Sequence, residues 1–415
     1  MKISKGAMSG SLERDLNDCV FCHVSGFYEK YFEGKTWSAA AEQAMQKVPS
    51  TLAGDLCLDF LEIRSVTFID ADGKLEKFYL ENKPIAAPQH IVGISTTCYP
   101  ARRLFVKEPE FVVKFSWGRS KPHTERELLE LMEERNVWGA PEILWCQDLG
   151  SIRDFRQGLK FTTEPYDFSC DIIRVAPDQK LSPEVMRAPQ IPAQPIDLEF
   201  DTMLEFLEAC RDVVKVIQSL HQDGKALHRN ICIKNLAIVP KRKKRDPRGI
   251  LINFDSALDL QRGLATKGEL VGSREFMAIG ILTGDSHTYR HDLESLFYVS
   301  LWVAICNDRE QDDRKSLRWQ PKTSRLCGWC SKDFGTVARN KTTDMKPKGF
   351  SAILEEFSWE FKHLKGLAKE LRQSLFPMQN GELFTGTDID RNGVGDLYDG
   401  MIDAFSRSIA FQVHE

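Results

Sequence analysis

Two asparagines stand where phosphoryl transfer calls for carboxylates. The stretch His228-Arg229-Asn230-Ile-Cys-Ile-Lys-Asn235 is followed by Leu251-Ile252-Asn253-Phe254-Asp255. Moving a phosphoryl group from a nucleotide to a hydroxyl uses a carboxylate that orients the hydroxyl, then, after four intervening residues, an amide that holds one magnesium ion. A carboxylate on a later segment holds the main metal. Order and spacing match, with Asn230 at the base position, Asn235 at the amide and Asn253 at the metal carboxylate. Short motifs recur by chance, and the same stretch also reads as a helix end followed by two apolar strands. An amide accepts no proton near neutral pH, and a positioned general base is typically worth roughly 10²- to 10⁴-fold in rate. At the metal, a neutral carbonyl oxygen replaces a charged one beside a hard cation. Asn is nearly isosteric with Asp, so the spacing predicts a preserved fold with impaired chemistry. Asp255, two residues beyond Asn253, is the nearby carboxylate able to substitute on the metal.

Such a site also needs a lysine for the phosphates and a helix glutamate to hold it. In Phe111-Val-Val-Lys-Phe-Ser-Trp117, strand alternation puts Phe111, Val113, Phe115 and Trp117 on one face and Lys114 on the other. Glu125 precedes Leu128 and Leu129 at helical spacing, which turns its carboxylate toward Lys114; Glu127 is the rival partner. Residues 91–99 sit where a nucleotide-covering loop belongs and keep one glycine, Gly93, with Ser95, Thr96 and Thr97 as hydroxyl donors. Upstream, 12–46 has helical periodicity, and 61–69 and 75–80 read as a hairpin. Prolines 177, 183, 189, 192 and 195 exclude a helix and mark an interlobe connection, with a hinge at 174–176. An amphipathic helix carrying Met203, Phe206, Leu207, Cys210, Val214 and Ile217 follows and stops at Gly224. The basic run 241–248 reads as an exposed hairpin tip, able to serve as a nuclear address or to meet an acidic partner.

Bulk properties narrow the function. With 415 residues, 42% of them hydrophobic, the chain can bury one large core or several smaller ones. A formal net charge of −4 gives no general attraction to nucleic acid or to an anionic membrane. The polar N-terminus predicts no secretory leader, and the most apolar piece, 293–306, is too short for a bilayer and carries Glu294. A cytosolic or nuclear location is expected. The eleven cysteines, an odd number in a chain with no expected secretory leader, are expected as reduced thiols, and Cys19/Cys22 and Cys327/Cys330 lie too far apart in sequence for a typical zinc site. Asp388, Asp390, Asn392, Gly393, Asp396 and Asp399 fit part of a calcium-loop spacing, with Asp399 in place of the bidentate glutamate; the other reading is an acidic turn before a helix at 398–409.

Val271-Gly-Ser-Arg-Glu-Phe-Met-Ala-Ile279 and His291-Asp-Leu-Glu-Ser-Leu-Phe-Tyr-Val299 are more distinctive than the catalytic loop. Together with the motifs above, over about residues 90–410, they resemble the fungal-type protein kinase family. The resemblance implies an α+β, two-lobed protein-kinase-like fold with a small β-rich lobe and a larger helical lobe. The expected organisation is an N-terminal extension at 1–85, the N-lobe at 86–176, and a Pro-rich hinge region with the C-lobe at 177–415. It also implies ATP and Mg²⁺ as cofactors, bound weakly or not at all here. Lys114 and Gly93 would serve the nucleotide, and Asn235, Asn253 and Asp255 the metal. Asn230, Lys114 and Glu125 would take the catalytic positions, and His228, Arg229 and Asp292 would brace the loop. The family pattern has Asp where this chain has Asn230 and Asn253, and Glu where it has Gly280. Three departures at separate points suggest a catalytically impaired protein that binds or scaffolds a protein partner. The alternative is an active or weakly active serine/threonine kinase acting on a protein substrate. Thr266 and Ser273 are the natural modification points of the intervening segment.

Overall fold

The computed structural model describes residues 65–69, 75–81, 96–103, 106, 111–118, 125–146, 150–151, 180–187, 194–195, 200, 202–239, 246–306, 324–387 and 391–414. The architecture is mixed α+β. Contacts divide the chain into two compact units, Met1–Arg126 with Glu142–Pro192, and Glu127–Pro141 with Ala193–Glu415.

The first unit is built on a seven-stranded antiparallel sheet. Its strands are β1 (Ser65–Ile69), β2 (Leu75–Leu80), β3 (Thr96–Arg102), β4 (Phe111–Gly118), β5 (Glu142–Cys146), β6 (Gly150–Ser151) and β7 (Lys180–Arg187), in the order β1-β2-β3-β4-β7-β5, with β6 also on β7. Alternate residues share a face, so Phe68, Phe78, Ala101, Phe111 and Val113 form one buried cluster, with Phe115, Leu144 and Trp145 packed on it. Phe78 meets Phe111 edge-on at 5.0 Å between ring centroids.

Two features of the sheet differ from the sequence reading. The hairpin assigned to a separate extension is its outer part, because β2 pairs β3 at Tyr79↔Arg102 and Leu80↔Ala101. Part of the proline-rich stretch is a strand: β7 lies between β4 and β5, and the division between the units comes after Pro192. Proline excludes helix more strictly than strand. Pro183, with no N–H for the ladder, falls between the end of β5, opposite Glu184, and the start of β6, opposite Leu181. Gly93 and the expected hinge at 174–176 lie outside the described residues, as do 12–46 and Cys19/Cys22.

Helix α1 (Glu125–Glu134) begins in the first unit and continues into the second. The second unit is mainly helical. After β8 (Gln194–Pro195), α2 (Met203–Gln222) starts at Thr202, whose hydroxyl accepts from the Glu205 N–H at 3.2 Å and so caps the helix. Its apolar stripe, including Phe206, Leu207, Cys210, Val214 and Ile217, is buried. Gly224 follows because space demands it: a Cβ there would lie 2.7 Å from the Leu220 carbonyl oxygen and 2.8 Å from Met132 Sδ. Short pairs β9 (Ala226–Leu227) with β12 (Leu258–Asp259), and β10 (Leu236–Ile238) with β11 (Gly249–Leu251), frame the loop between them. Arg248, at the end of the basic run, is anchored on α2, 3.3 Å from Glu205 and 3.4 Å from Glu208. Residues 240–245 lie outside the described residues.

Helices α3 (Ile279–Leu282), α4 (Tyr289–Cys306), α5 (Phe334–Met345), α6 (Pro347–Glu355), α7 (Lys365–Leu375) and α8 (Arg391–His414) complete the unit. Nearly all of α4 is buried. Helix α8 starts earlier than residue 398, which corrects the calcium-loop spacing. The backbone at Asn392, Gly393, Asp396 and Asp399 is helical rather than looped, and Asp388 and Asp390 lie outside the described residues. Among the described residues, no group of three or more His, Cys, Asp or Glu is placed to hold a metal ion, and no helix is long and apolar enough to cross a membrane.

Candidate functional site

In the first unit the lysine expected to meet the phosphates has a defined partner. Strand alternation that buries Phe111 and Val113 sends Lys114 the other way, where its ammonium donates to the Glu125 carboxylate. Both side chains are 2% exposed. Glu127 is exposed, so Glu125 is the partner. Removing one member of a buried pair strands the other charge, which typically costs about 3–5 kcal/mol.

In the second unit, the loop after β9 is held from below by the N-terminal turn of α4. Asp292 accepts from the backbone N–H groups of His228 and Arg229, each at 2.9 Å, and its Oδ1 lies 3.1 Å from His287 Nε2. A carboxylate here only accepts, so His287 carries its proton on Nε2. Burial pushes the Asp292 carboxyl up, but His287 and then His228 outweigh it and leave it below the usual carboxylate value. The His228 ring packs edge-on against Phe254 at 4.9 Å, and its Nε2 is 3.1 Å from the Ile252 carbonyl oxygen. Arg229 adopts φ 64° and donates through Nε to the Ser256 carbonyl at 2.8 Å and through NH1 to Glu269 at 2.8 Å.

The three asparagines lie on one hydrogen-bonded path. Asn235 donates from Nδ2 to the Asn230 carbonyl at 2.7 Å. A backbone carbonyl only accepts, so the Asn235 side-chain carbonyl faces the other way, toward Asn253. There Asn253 donates from Nδ2 to Asn235 Oδ1 at 3.1 Å. Asn253 sits in the left-handed region, φ 67° and ψ 72°, which Asn adopts more readily than most residues. The Asn230 side-chain oxygen accepts from the Ser273 N–H at 3.2 Å. Asp255 is half-buried in the 3₁₀ turn Phe254–Ser256 that follows.

A family model described as fungal protein kinase matches residues 58–304, more than half of the chain. The chain belongs to the fungal protein kinase family. The match begins upstream of residue 65 and so includes the β1–β2 hairpin, consistent with the pairing of β2 to β3. A search of curated proteins finds no match.

A fungal protein kinase site implies Mg²⁺ with the nucleotide, and the donors here fit that ion poorly. Asn235 Oδ1 already accepts from Asn253, whose amide N–H₂ has no lone pair to offer a cation and faces the oxygen that a cation would use. A carboxylate at 253 would present only acceptors to Asn235 Oδ1, an arrangement that a cation between them would relieve.

Other contacts were not legible in the motif. Gly280 stands where the resemblance implies a glutamate, and a Cβ on it would lie 2.6 Å from His291 Nε2 and 2.9 Å from Asp285 Oδ2. The segment is tied down from α4 and α5 instead. Glu294 accepts from the Ile279 N–H at 2.7 Å, while Arg290 and Tyr298 also donate to it, at 2.6 and 2.7 Å. Lys341, fully buried, donates to the Met277 carbonyl at 2.6 Å with its ammonium 4.0 Å from the Tyr298 ring centroid. Burial pushes the Lys341 ammonium down to about 7. Glu294 carried one signal in the sequence, a charge inside the apolar run 293–306; Lys341 carried none.

Proposed function

We propose that this fungal protein kinase family member is a catalytically impaired, two-lobed kinase-like protein that holds a protein partner and binds nucleotide weakly or not at all. The observation that carries this reading is the Asn253–Asn235 pair, in which the two side chains expected to meet the metal are bonded to each other, while Asn235 donates onward to the Asn230 backbone carbonyl. The surrounding supports are intact, with Asp292 under the loop and Glu294 and Lys341 under the following segment. A binding protein needs that scaffold without the catalytic carboxylates.

The test is thermal unfolding of the full chain with ATP, with Mg²⁺, with both and with neither, beside a Lys114→Ala variant. A ligand that binds the native state raises the unfolding temperature according to its concentration over Kd. We expect no shift, or a small one without Mg²⁺ dependence, at millimolar ATP. A Mg²⁺-dependent shift absent from Lys114→Ala would overturn the reading in favour of a working nucleotide site.

One observation favours the second reading, a weakly active serine/threonine kinase: the buried Lys114–Glu125 pair is retained. The variant Asn230→Asp with Asn253→Asp separates the two. Phosphotransfer to a serine or threonine peptide by this variant supports a recently disabled kinase; none, in a folded variant, leaves the binding role.

A further inference from the structure

The dithiol segment Cys327-Gly328-Trp329-Cys330 is separate from the proposed site. It occupies the 3₁₀ helix Arg325–Cys330, which starts at Ser324, whose hydroxyl accepts from the Leu326 N–H at 3.0 Å. Side chains three residues apart eclipse in a 3₁₀ helix, and a rise of ~2.0 Å per residue sets their Cα atoms roughly 6 Å apart. Disulfides span Cα separations of about 4.4–6.8 Å. Cys327 and Cys330 are both half-buried thiols. The frame around them is anchored: Trp329 is fully buried and donates through Nε1 to Asp344 at 2.9 Å, and Asn340 donates to the Gly328 carbonyl at 2.9 Å. Apposition of the two thiols therefore needs little further ordering of the chain.

We propose that Cys327 and Cys330 form a redox site that reacts with low-molecular-weight disulfides and closes to an intrachain disulfide. The Cys327 thiolate attacks one sulfur of the small disulfide, whose S–S bond breaks. One half stays bonded to Cys327, and the other leaves as a thiolate and is protonated. Deprotonated Cys330 then attacks the Cys327 sulfur, the Cys327–Cys330 bond forms, the mixed bond breaks and the second small thiol is released. The protein gives up two hydrogens and two electrons, and the small disulfide takes them. Cys327 reacts first, because burial, with Glu275 adding to it, pushes the Cys330 thiol up to about 12 and leaves it little thiolate near neutral pH.

The site adjoins an anchor of the segment after the catalytic loop. Arg274 donates to the Ser331 carbonyl at 3.0 Å and lies 4.6 Å over the Phe334 ring, and Lys341, bonded to the Met277 carbonyl, is 5.2 Å from the Trp329 ring centroid. Closing the disulfide stiffens the turn that presents these contacts.

The experiment treats the reduced full chain with glutathione disulfide, blocks remaining thiols by alkylation and maps peptides by mass spectrometry. We expect the peptide holding both cysteines to become two hydrogens lighter and unalkylated, with reversal by dithiothreitol. The Cys330→Ser variant is expected to keep one glutathione on Cys327. Alkylation of both cysteines after treatment, or pairing of Cys327 with a cysteine other than Cys330, overturns the proposal. The mapping is made first on the unsubstituted chain, so a variant that fails to fold does not remove the test.

Discussion

At position 253 a single oxygen-to-nitrogen change decides what the neighbouring amide can do. Asn253 donates to Asn235 Oδ1, and that contact needs no ion. Asn253→Asp replaces the donor with an acceptor and leaves two oxygens facing each other. Loss of such a half-buried hydrogen bond with its partner left unsatisfied typically costs about 1–3 kcal/mol. Urea denaturation of Asn253→Asp should therefore show that loss without metal and a gain in millimolar Mg²⁺ that the unsubstituted chain lacks. Equal stability of the two proteins in both conditions would count against the amide pair as a replacement for the ion. Ser273 is constrained at the same scale: its N–H is bonded to Asn230 and its side chain is half-buried, whereas Thr266 is exposed, so Thr266 is the more accessible of the two hydroxyls.

Among elements, α4 organises the second unit's site from both ends of its first two turns. Asp292 holds the loop after β9, and Glu294 holds Ile279 at the start of α3. Gly280 makes that arrangement possible because α3 approaches His291 too closely for a side chain. Gly280→Ala gains the ordinary helix preference of about 1 kcal/mol, but overpacking against a buried ring typically costs about 1–3 kcal/mol. The expected outcome is a net loss in Gly280→Ala and a larger one in Gly280→Glu, which also sets a carboxylate beside Asp285. Urea midpoints of the two variants measure this, and a stabilised Gly280→Glu would show that a glutamate can be seated there.

For the molecule as a whole, half-buried His221 and buried His291 shape the response to acid. Burial lowers the His221 imidazole, with Lys225 adding to it. It pushes His291 down to about 3, with His287 and Arg290 adding to it. Both are neutral when folded near pH 6.5, while an unfolded imidazole titrates at about 6.5. Between there and the folded values the unfolded chain binds protons that the folded chain does not, so stability falls as pH falls. Asp292 acts lower: its depressed carboxyl contributes stability that is present above the unfolded value of about 3.9 and is lost as pH falls through the folded value. Urea midpoints should drop between pH 7 and pH 5, before Asp292 is affected; a flat profile there would contradict neutral burial of these rings.

Residue order alone sufficed for the local pattern. Alternation around Lys114 predicted which way it points, apolar periodicity predicted α2 and the buried α4, and the spacing from His228 to Asn253 identified the loop. The first two of these signals repeat over two to four residues, the period of the structure they report. They fail where a local preference loses to packing. Gly393 and Gly395 argue against a helix, yet α8 starts before them, and Tyr398, Met401, Ala404 and Phe405 are buried as it packs on α2 and α7. Proline density concealed β7 in the same way. The tertiary structure alone decided that Asn253 bonds Asn235, that Glu294 holds Ile279 and that Lys341 reaches Met277, contacts made across 18, 15 and 64 positions. A hydrogen bond needs a donor and an acceptor in the same place, and only the folded chain brings such distant residues together.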